Sequence, residues 1–213
     1  MTTPASTFAT AAFFTGRPTT EIAQDLLGTT LLYRSAHGLT GGLIVEAEAY
    51  LGTHDTAAHA FNGRRSAFSE PLYRAPGTLY IYQLRANHLF DIVTQPIDVP
   101  EGVLIRAIEP THGLDQMLVN RGKRGVQITN GPGKLAQALG IQNKEYNLTA
   151  LTDSPFEISL SEAKKPRQIL ALPRVGVNPA AASGQLPLRF VVAGNPYISD
   201  SRKRDWQADH GWL

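Results

Sequence analysis

Between Thr29 and Ile108 the chain breaks into short runs in which apolar residues recur at every second position, and the gaps between paired runs are turn-sized. Residues 77–84 (GTLYIYQL) and 88–94 (HLFDIVT) are separated only by Arg85, Ala86 and Asn87, which reads as a hairpin. Residues 29–34 (TTLLYR) and 40–50 flank a His37-Gly38 turn in the same way, and residues 103–108 (VLIRAI) add another strand. Hairpins outnumber βαβ units, so the expected fold is mixed α/β (α+β), a single domain on a curved, mostly antiparallel sheet with peripheral helices.

The helix signals are few and short. Pro18 suits the first turn of a helix over residues 18–27, with Glu21 and Asp25 in its body and Gly28 to close it. Residues 54–60 (HDTAAHA) read as a short helix and residues 111–120 as another. Gly131-Pro132-Gly133 opens a helix that runs to Leu139 and stops at Gly140. Residues 62–76 are loop-like, and short strands are expected near 156–160 and 188–193. A weak change of composition near 143–155 does not split the chain, because the segment beyond it is too short and strand-poor to stand alone; residues 1–213 are read as one domain.

The composition fits such a domain. Hydrophobic residues make up 42% and charged residues 18% of the 213, a globular balance. No apolar run approaches the ~20 residues of a membrane span, so no membrane partner is expected. The segment MTTPASTFATAAFF has no positively charged n-region, so no signal peptide is read there. Cysteine is absent, which excludes disulfides and thiolate metal sites and fits a reducing cytoplasm. Net charge is only +2, but basic residues cluster at Arg64-Arg65, Arg121-Gly-Lys123-Arg124, residues 164–167 and Arg202-Lys203-Arg204. Such runs are either solvated loops or phosphate contacts.

The chemistry concentrates on one strand. In IVEAEAYLG (residues 44–52), strand geometry puts Glu46, Glu48 and Tyr50 on one face and Val45, Ala47 and Ala49 on the other. The two carboxylates either face solvent or form part of a site. Asp55 and His59 follow closely, and Arg106 interrupts the apolar run VLIRAI, where an arginine needs a carboxylate partner. An arginine-held glutamate could activate a water. A competing reading uses Glu46, Glu48, His54, Asp55 and His59 as O and N ligands of a metal-dependent hydrolase, although their spacing matches no zinc signature. A third is a nucleic-acid-binding module without catalysis. Tyr80 and Tyr82 share one face of their strand and form either a half-buried sheet surface or a platform on which a planar base stacks, worth about 1–3 kcal/mol.

Taken in order, IVEAEAYLG, AAHAF, PGTLYIY, VLIRAIEP, TNGPGKLAQALGI, PRVGV and PLRFVVAGN resemble the motifs of the alkyladenine (3-methyladenine) DNA glycosylase family, over a core from about residue 13 to 199. The resemblance implies a monofunctional, monomeric base-excision-repair enzyme of the bacterial cytoplasm that needs no cofactor or metal. Its partner would be double-stranded DNA carrying alkylated or deaminated purines, from which it flips the base and hydrolyses the N-glycosidic bond. By position, Glu48 matches the family's general base and Arg106 the arginine beside it. Tyr50, His59 and Tyr82 match the groups that enclose the flipped base, and the tyrosine-bearing hairpin matches the element that enters the minor groove. Electron-rich tyrosine faces would favour cationic alkylpurines.

Three departures from the family pattern stand out. The hairpin tip, Gln83 to His88, lacks the tyrosine that members carry as a wedge, which leaves Leu84, or else Arg85, to fill the vacated stack. Asp91 stands where the family usually has an asparagine associated with rejecting the amino group of guanine; an ionised aspartate cannot donate a hydrogen bond. Pro71-Leu72-Tyr73 also replaces a more typical Met-Phe pair. Lys134, at a helix start, and Arg121, Lys123 and Arg124 are the expected contacts to the DNA backbone.

Overall fold

The computed structural model describes residues 7–213, so the start of the segment MTTPASTFATAAFF, in which no leader is read, lies outside the described residues. The strands are β1 (Thr30–Ser35), β2 (Gly38–Tyr50), β3 (Leu79–Leu84), β4 (Asn87–Thr94), β5 (Glu101–His112), β6 (Phe156–Ser159), β7 (Ile169–Leu172) and β8 (Arg189–Val192). The helices are α1 (Thr19–Asp25), α2 (Leu114–Arg121) and α3 (Pro132–Leu139). All eight strands join one sheet in the order β3-β4-β5-β2-β1-β6, with β8 branching onto β2 and β7 onto β8. Every pairing between these strands is antiparallel, as the hairpin-rich sequence predicts.

Strand β2 organises the molecule. Residues 38–43 pair with β1, residues 46–48 with β8, and residues 41–50 with β5. The register against β5 shifts on both sides of Glu46, so Val45 is a bulged residue. A bulge next to a functional carboxylate re-aims a side chain without ending the sheet. A second shift falls at Gly41/Gly42, where a Cβ on Gly42 would lie 2.1 Å from the Glu109 carbonyl oxygen. Only glycine permits so close a crossing of β2 over β5.

The period of two sorts the side chains as the sequence implies. Leu79, Ile81, Ala47, Ala49, Ile92 and Ile105 point into the main core, which α1, α2 and α3 cover. Tyr80, Tyr82, Val93, Leu104 and Leu72 form a smaller cluster, with Tyr50 packed against it. Each fully buried aliphatic side chain contributes roughly 1.5–3 kcal/mol of transfer free energy, so both faces of the sheet are fixed by burial. Among the described residues, no helix is long and apolar enough to cross a membrane.

The structure corrects four readings. The helix expected over 54–60 is replaced by a 3-10 turn at Gly52–His54 and further turns. There the Asp55 carboxylate accepts the Leu51 and Ala57 amide hydrogens and pairs with Arg174, and this local bonding competes with helix. Strand β5 runs on to His112, so α2 starts only after Gly113, whose φ of 63° breaks the strand. The loop over 62–76 contains a 3-10 turn at Glu70–Tyr73. Strand β7 is absent from the sequence reading because, as a partly exposed edge of four residues beside Pro173, it shows no alternation.

Candidate active site

Glu46 and Glu48 are both fully buried, so the solvent-facing alternative is wrong. What makes their burial tolerable is a set of cations and donors gathered from β2, β5, β8 and the two loops that carry Val175 and Ser199. From β5, Arg106 reaches both carboxylates, with Nε 2.8 Å from Glu46 Oε1 and Nη1 3.2 Å from Glu48 Oε1. The two glutamates then diverge. Glu46 also takes Arg189 of β8 at 3.1 Å and the backbone N–H and hydroxyl of Ser199 at 2.6 Å each. Glu48 accepts the Val175 N–H at 2.8 Å and the Tyr50 hydroxyl at 2.9 Å.

This division sets their acidities apart. Burial alone raises the proton affinity of both carboxyls. At Glu46 the Arg106 charge and the Ser199 and Arg106 hydrogen bonds overcome that, and its pKa falls below the usual carboxylate value. At Glu48 burial prevails over Arg106, the Val175 amide and Tyr50, with Glu46 adding repulsion, and its pKa is raised. Glu46 is therefore a fixed counter-charge, and Glu48 is the carboxylate with an appetite for a proton.

The loop that carries Val175 is itself held by a buried ion pair. Arg174 makes two hydrogen bonds to Asp55, of 2.6 and 2.7 Å, and donates to the Ala49 carbonyl at 3.1 Å. Its guanidinium also lies 4.6 Å from the centre of the Tyr50 ring. Asp55 is thus spent on fold and loop, as Glu46 is on Arg106 and Arg189, and neither is free as a metal ligand. Among the described residues, no group of three or more His, Asp or Glu side chains is placed to hold a metal ion. The metal set read from the sequence is not assembled.

In front of Glu48 opens a cavity of about 400 Å³. Tyr50, His59, Tyr82, Asp91, Leu84, Arg106 and Val175 all line it. Glu48 itself lies behind the wall, but its hydrogen-bond partners Tyr50 and Val175 and its ion-pair partner Arg106 form part of that wall. His59 is exposed; its pKa is lowered by desolvation and by Arg64, which keeps the ring neutral. Its Nδ1 hydrogen-bonds the Tyr80 hydroxyl at 2.9 Å, and it meets the Tyr82 ring edge-on at 5.0 Å. The pair of tyrosines does not form a two-ring platform. Tyr80 stacks against Tyr82 at 4.6 Å and does not line the cavity, so Tyr82 alone presents there. Asp91, on β4, is buried, and its pKa is raised to about 8, chiefly by desolvation and with help from Glu48, against a hydrogen bond from Tyr82.

At the cavity rim the β3–β4 hairpin carries Leu84, which is 55% exposed, and Arg85, whose φ of 55° makes the turn. The hairpin leans on α3. Gln137 Nε2 donates to Asn87 Oδ1 at 2.7 Å, and a Cβ on Gly133 would come within 2.8 Å of the Asn87 side chain. Beside it, Lys134 is exposed and bonded to Asn130 Oδ1 at 2.8 Å. Lys123 and Arg124 are exposed. Arg121 differs from them: its guanidinium donates to the carbonyls of Gln127 and Ile128 and to Gln137, so it braces the loop between α2 and α3.

Sequence reasoning overlooked Arg174, Arg189 and Ser199. Arg174 and Arg189 had a readable signal, since each is a lone arginine in an apolar stretch, PRVGV and PLRFVV, as Arg106 is in VLIRAI. Ser199 had none, because it bonds Glu46 across 153 residues of sequence.

Residues 13–196 match the model of the methylpurine-DNA glycosylase family. A Latilactobacillus sakei protein named "Putative 3-methyladenine DNA glycosylase" is 62% identical over 204 residues, covering 95% of this chain and 96% of its own. Similarly named proteins of Lactobacillus delbrueckii subsp. bulgaricus and Listeria monocytogenes are 56% identical (94% and 98% covered) and 47% identical (91% and 93% covered).

Proposed function

The chain belongs to the methylpurine-DNA glycosylase family, and from that premise we propose that it excises alkylated or deaminated purines from duplex DNA by turning the base into the cavity and hydrolysing its N-glycosidic bond. The observation that carries this is the pairing of Glu48 with the cavity: a buried carboxylate of raised proton affinity, oriented by Arg106, Tyr50 and the Val175 amide, directly behind an aromatic-lined wall.

A purine within the stack cannot be reached at its sugar, so extrusion comes first, at a cost of a few kcal/mol that is least for damaged or mispaired bases. Leu84, or Arg85 next to it, fills the gap left behind; an exposed aliphatic side chain at a hairpin tip suits a wedge. The base lies between Tyr50, Tyr82 and His59, with Asp91 at one edge. Glu48, ionised, takes a proton from the attacking water and offsets positive charge developing on the sugar, while Arg106 keeps the carboxylate in place. Among the described residues no lysine lines the cavity, which fits a water nucleophile and a monofunctional glycosylase. The enzyme acts as a monomer without a cofactor, as the family resemblance implies. Lys134, Lys123 and Arg124 meet backbone phosphates, and Arg121 supports the loop that presents the latter two. The relatives are bacterial, which supports work on chromosomal DNA in the cytoplasm.

The test is a single-turnover assay on duplexes carrying hypoxanthine, ethenoadenine or an alkylated purine. Abasic sites should form with at least one of them, and activity should persist in EDTA. Loss of activity in chelator that a divalent metal restores would revive the metal-dependent hydrolase. Tight binding without any excision would favour a non-catalytic DNA-binding module.

A further inference from the structure

Residues 197–213 lie beyond the stretch that matches the family model, yet one of them reaches into the charged network. Ser199 gives Glu46 its N–H and its hydroxyl at 2.6 Å each, and Arg106 Nη2 lies 3.4 Å from the same hydroxyl. The backbone around Ser199 is a turn, neither helix nor strand, so other contacts must fix it. Those contacts lead to residues 206–213. Asn195, fully buried, donates from Nδ2 to Glu109 at 2.7 Å and to the His210 carbonyl at 3.0 Å, while its Oδ1 accepts the Tyr197 N–H at 2.9 Å. Glu109 also accepts the Trp212 Nε1–H at 2.8 Å and lies 2.8 Å from His210 Nδ1. Trp206 Nε1 donates to the Ser201 hydroxyl at 3.1 Å, and that hydroxyl donates to the Pro196 carbonyl. At Gly211 a Cβ would come within 2.1 Å of the Ala193 carbonyl oxygen, so this segment lies directly against the backbone that enters the turn.

We propose that residues 206–213 act as a clasp that positions Glu48: through Glu109 and Asn195 they hold Ser199 against Glu46, which keeps Arg106 shared between the two glutamates. The importance of Glu48 rests on the excision function proposed above. Distance rules out direct contact. Glu109 stands opposite Leu43 in β2, and from Leu43 to Glu48 is roughly 17 Å at the rise of a strand. Neither Glu109 nor Trp212 lines the cavity. Their route to Glu48 is the turn, so Glu109, Asn195, Trp212 and Ser199 are positioning residues.

Glu46 stays ionised although buried because Arg106, Arg189 and Ser199 all serve it. Hydrogen bonds to a carboxylate favour its charged form. With Ser199 withdrawn, Glu46 draws harder on Arg106, and Glu48 loses part of the cation it pairs with. The other groups that face the pair cannot make up the loss. Arg189 of β8 bonds Glu46, and Arg174, beside the Val175 amide, is spent on Asp55. Tyr50 on β2 and Tyr82 on β3 have raised pKa values and stay neutral. Asp91 on β4 is held uncharged by burial up to about pH 8. Glu48 therefore keeps its proton to higher pH when the clasp opens.

The experiment reads the titration of Glu48 in the free protein by carboxyl NMR, with the resonance assigned through Glu48→Gln. Alongside it, single-turnover excision of ethenoadenine from a duplex is followed from about pH 4.5 to about pH 9. Wild type is compared with Ser199→Ala, Glu109→Gln and Trp212→Phe. The Glu48 midpoint should rise by about half a unit or more in each variant, and the acid limb of excision should move with it. In the Trp212→Phe background, Ser199→Ala should add less shift than it causes in wild type. Midpoints that stay at the wild-type value, with lower thermal stability as the only change, mean that the segment merely packs, and overturn the proposal; so does a fall in the midpoint. If Trp212→Phe does not fold, Glu109→Gln, which keeps size and shape, carries the comparison. Absence of excision by wild type would count against the excision function itself, while the NMR midpoints still decide the clasp.

Discussion

Glu46 and Glu48 are two residues apart, equally buried and salt-bridged to the same arginine, yet their proton affinities are shifted in opposite directions. Replacing Glu46 with Gln leaves Arg106 with Glu48 as its carboxylate partner and takes the carboxylate from Arg189, and breaking a buried ion pair costs about 3–5 kcal/mol. Thermal unfolding should show that loss. Glu46 also has a pH signature. Its pKa is depressed, so the stability it provides is present above the ordinary glutamate value and disappears as pH falls through its folded value. Glu48 has the opposite sign: the folded protein holds its proton more tightly than the unfolded chain, so stability declines as pH rises towards the folded value. Because Glu48 must be ionised to act, the excision rate should climb with pH, and the midpoint of its acid limb should lie above the ~4.3 of an ordinary glutamate. A midpoint at or below that value would separate the limb from Glu48.

At the scale of elements, two segments border the cavity, and each is fixed by a contact remote in sequence. Residues 173–177 depend on Arg174–Asp55, a pair separated by 119 residues. A double-mutant cycle with Arg174→Met and Asp55→Asn should give a coupling energy of about 1–3 kcal/mol in unfolding. Arg174→Met should also slow excision while leaving DNA affinity nearly unchanged, because the Val175 amide then loses its hold on Glu48. Unchanged excision would separate that loop from the chemistry. The β3–β4 hairpin depends on α3 through Asn87, Gln137 and Gly133. Gly133→Ala forces the hairpin to shift and should weaken binding to lesion DNA several-fold with the fold intact, while Leu84→Ala should shorten the lifetime of the flipped base, read by stopped-flow fluorescence. The hairpins themselves were legible from alternation and turn length, since both are local. So was the face shared by Glu48 and Tyr50, which the bulge at Val45 leaves intact. The false helix at 54–60 fails because Asp55 spends its carboxylate on the nearby Leu51 and Ala57 amides as well as on Arg174. Ser199 bonds Glu46 from 153 positions away, and no local pattern records that.

For the whole molecule, one sheet places a charged network, an aromatic cavity, a hairpin tip and a helix start in a single neighbourhood, and β2 touches most of them. Binding to duplex DNA should weaken steeply with salt, and alanine at Lys134, Lys123 or Arg124 should reduce the slope of log affinity against log salt by about 1 each. Arg121→Ala should lower stability as well as affinity, since its guanidinium braces the loop that presents the other two. The family and most cavity residues were visible in the ordered motifs, because those motifs are the strands and turns that build the wall. The raised proton affinity of Asp91 was not, because it depends on burial that only the assembled sheet creates. The most direct measurement is single-turnover excision by wild type and Glu48→Gln on the same lesion duplex, with affinity measured in parallel. Abasic sites should form with wild type, and Glu48→Gln should bind the duplex as tightly yet excise at least about a thousandfold more slowly, on the scale expected for removing a general base. Equal rates for the two proteins would contradict the assignment of water activation to Glu48.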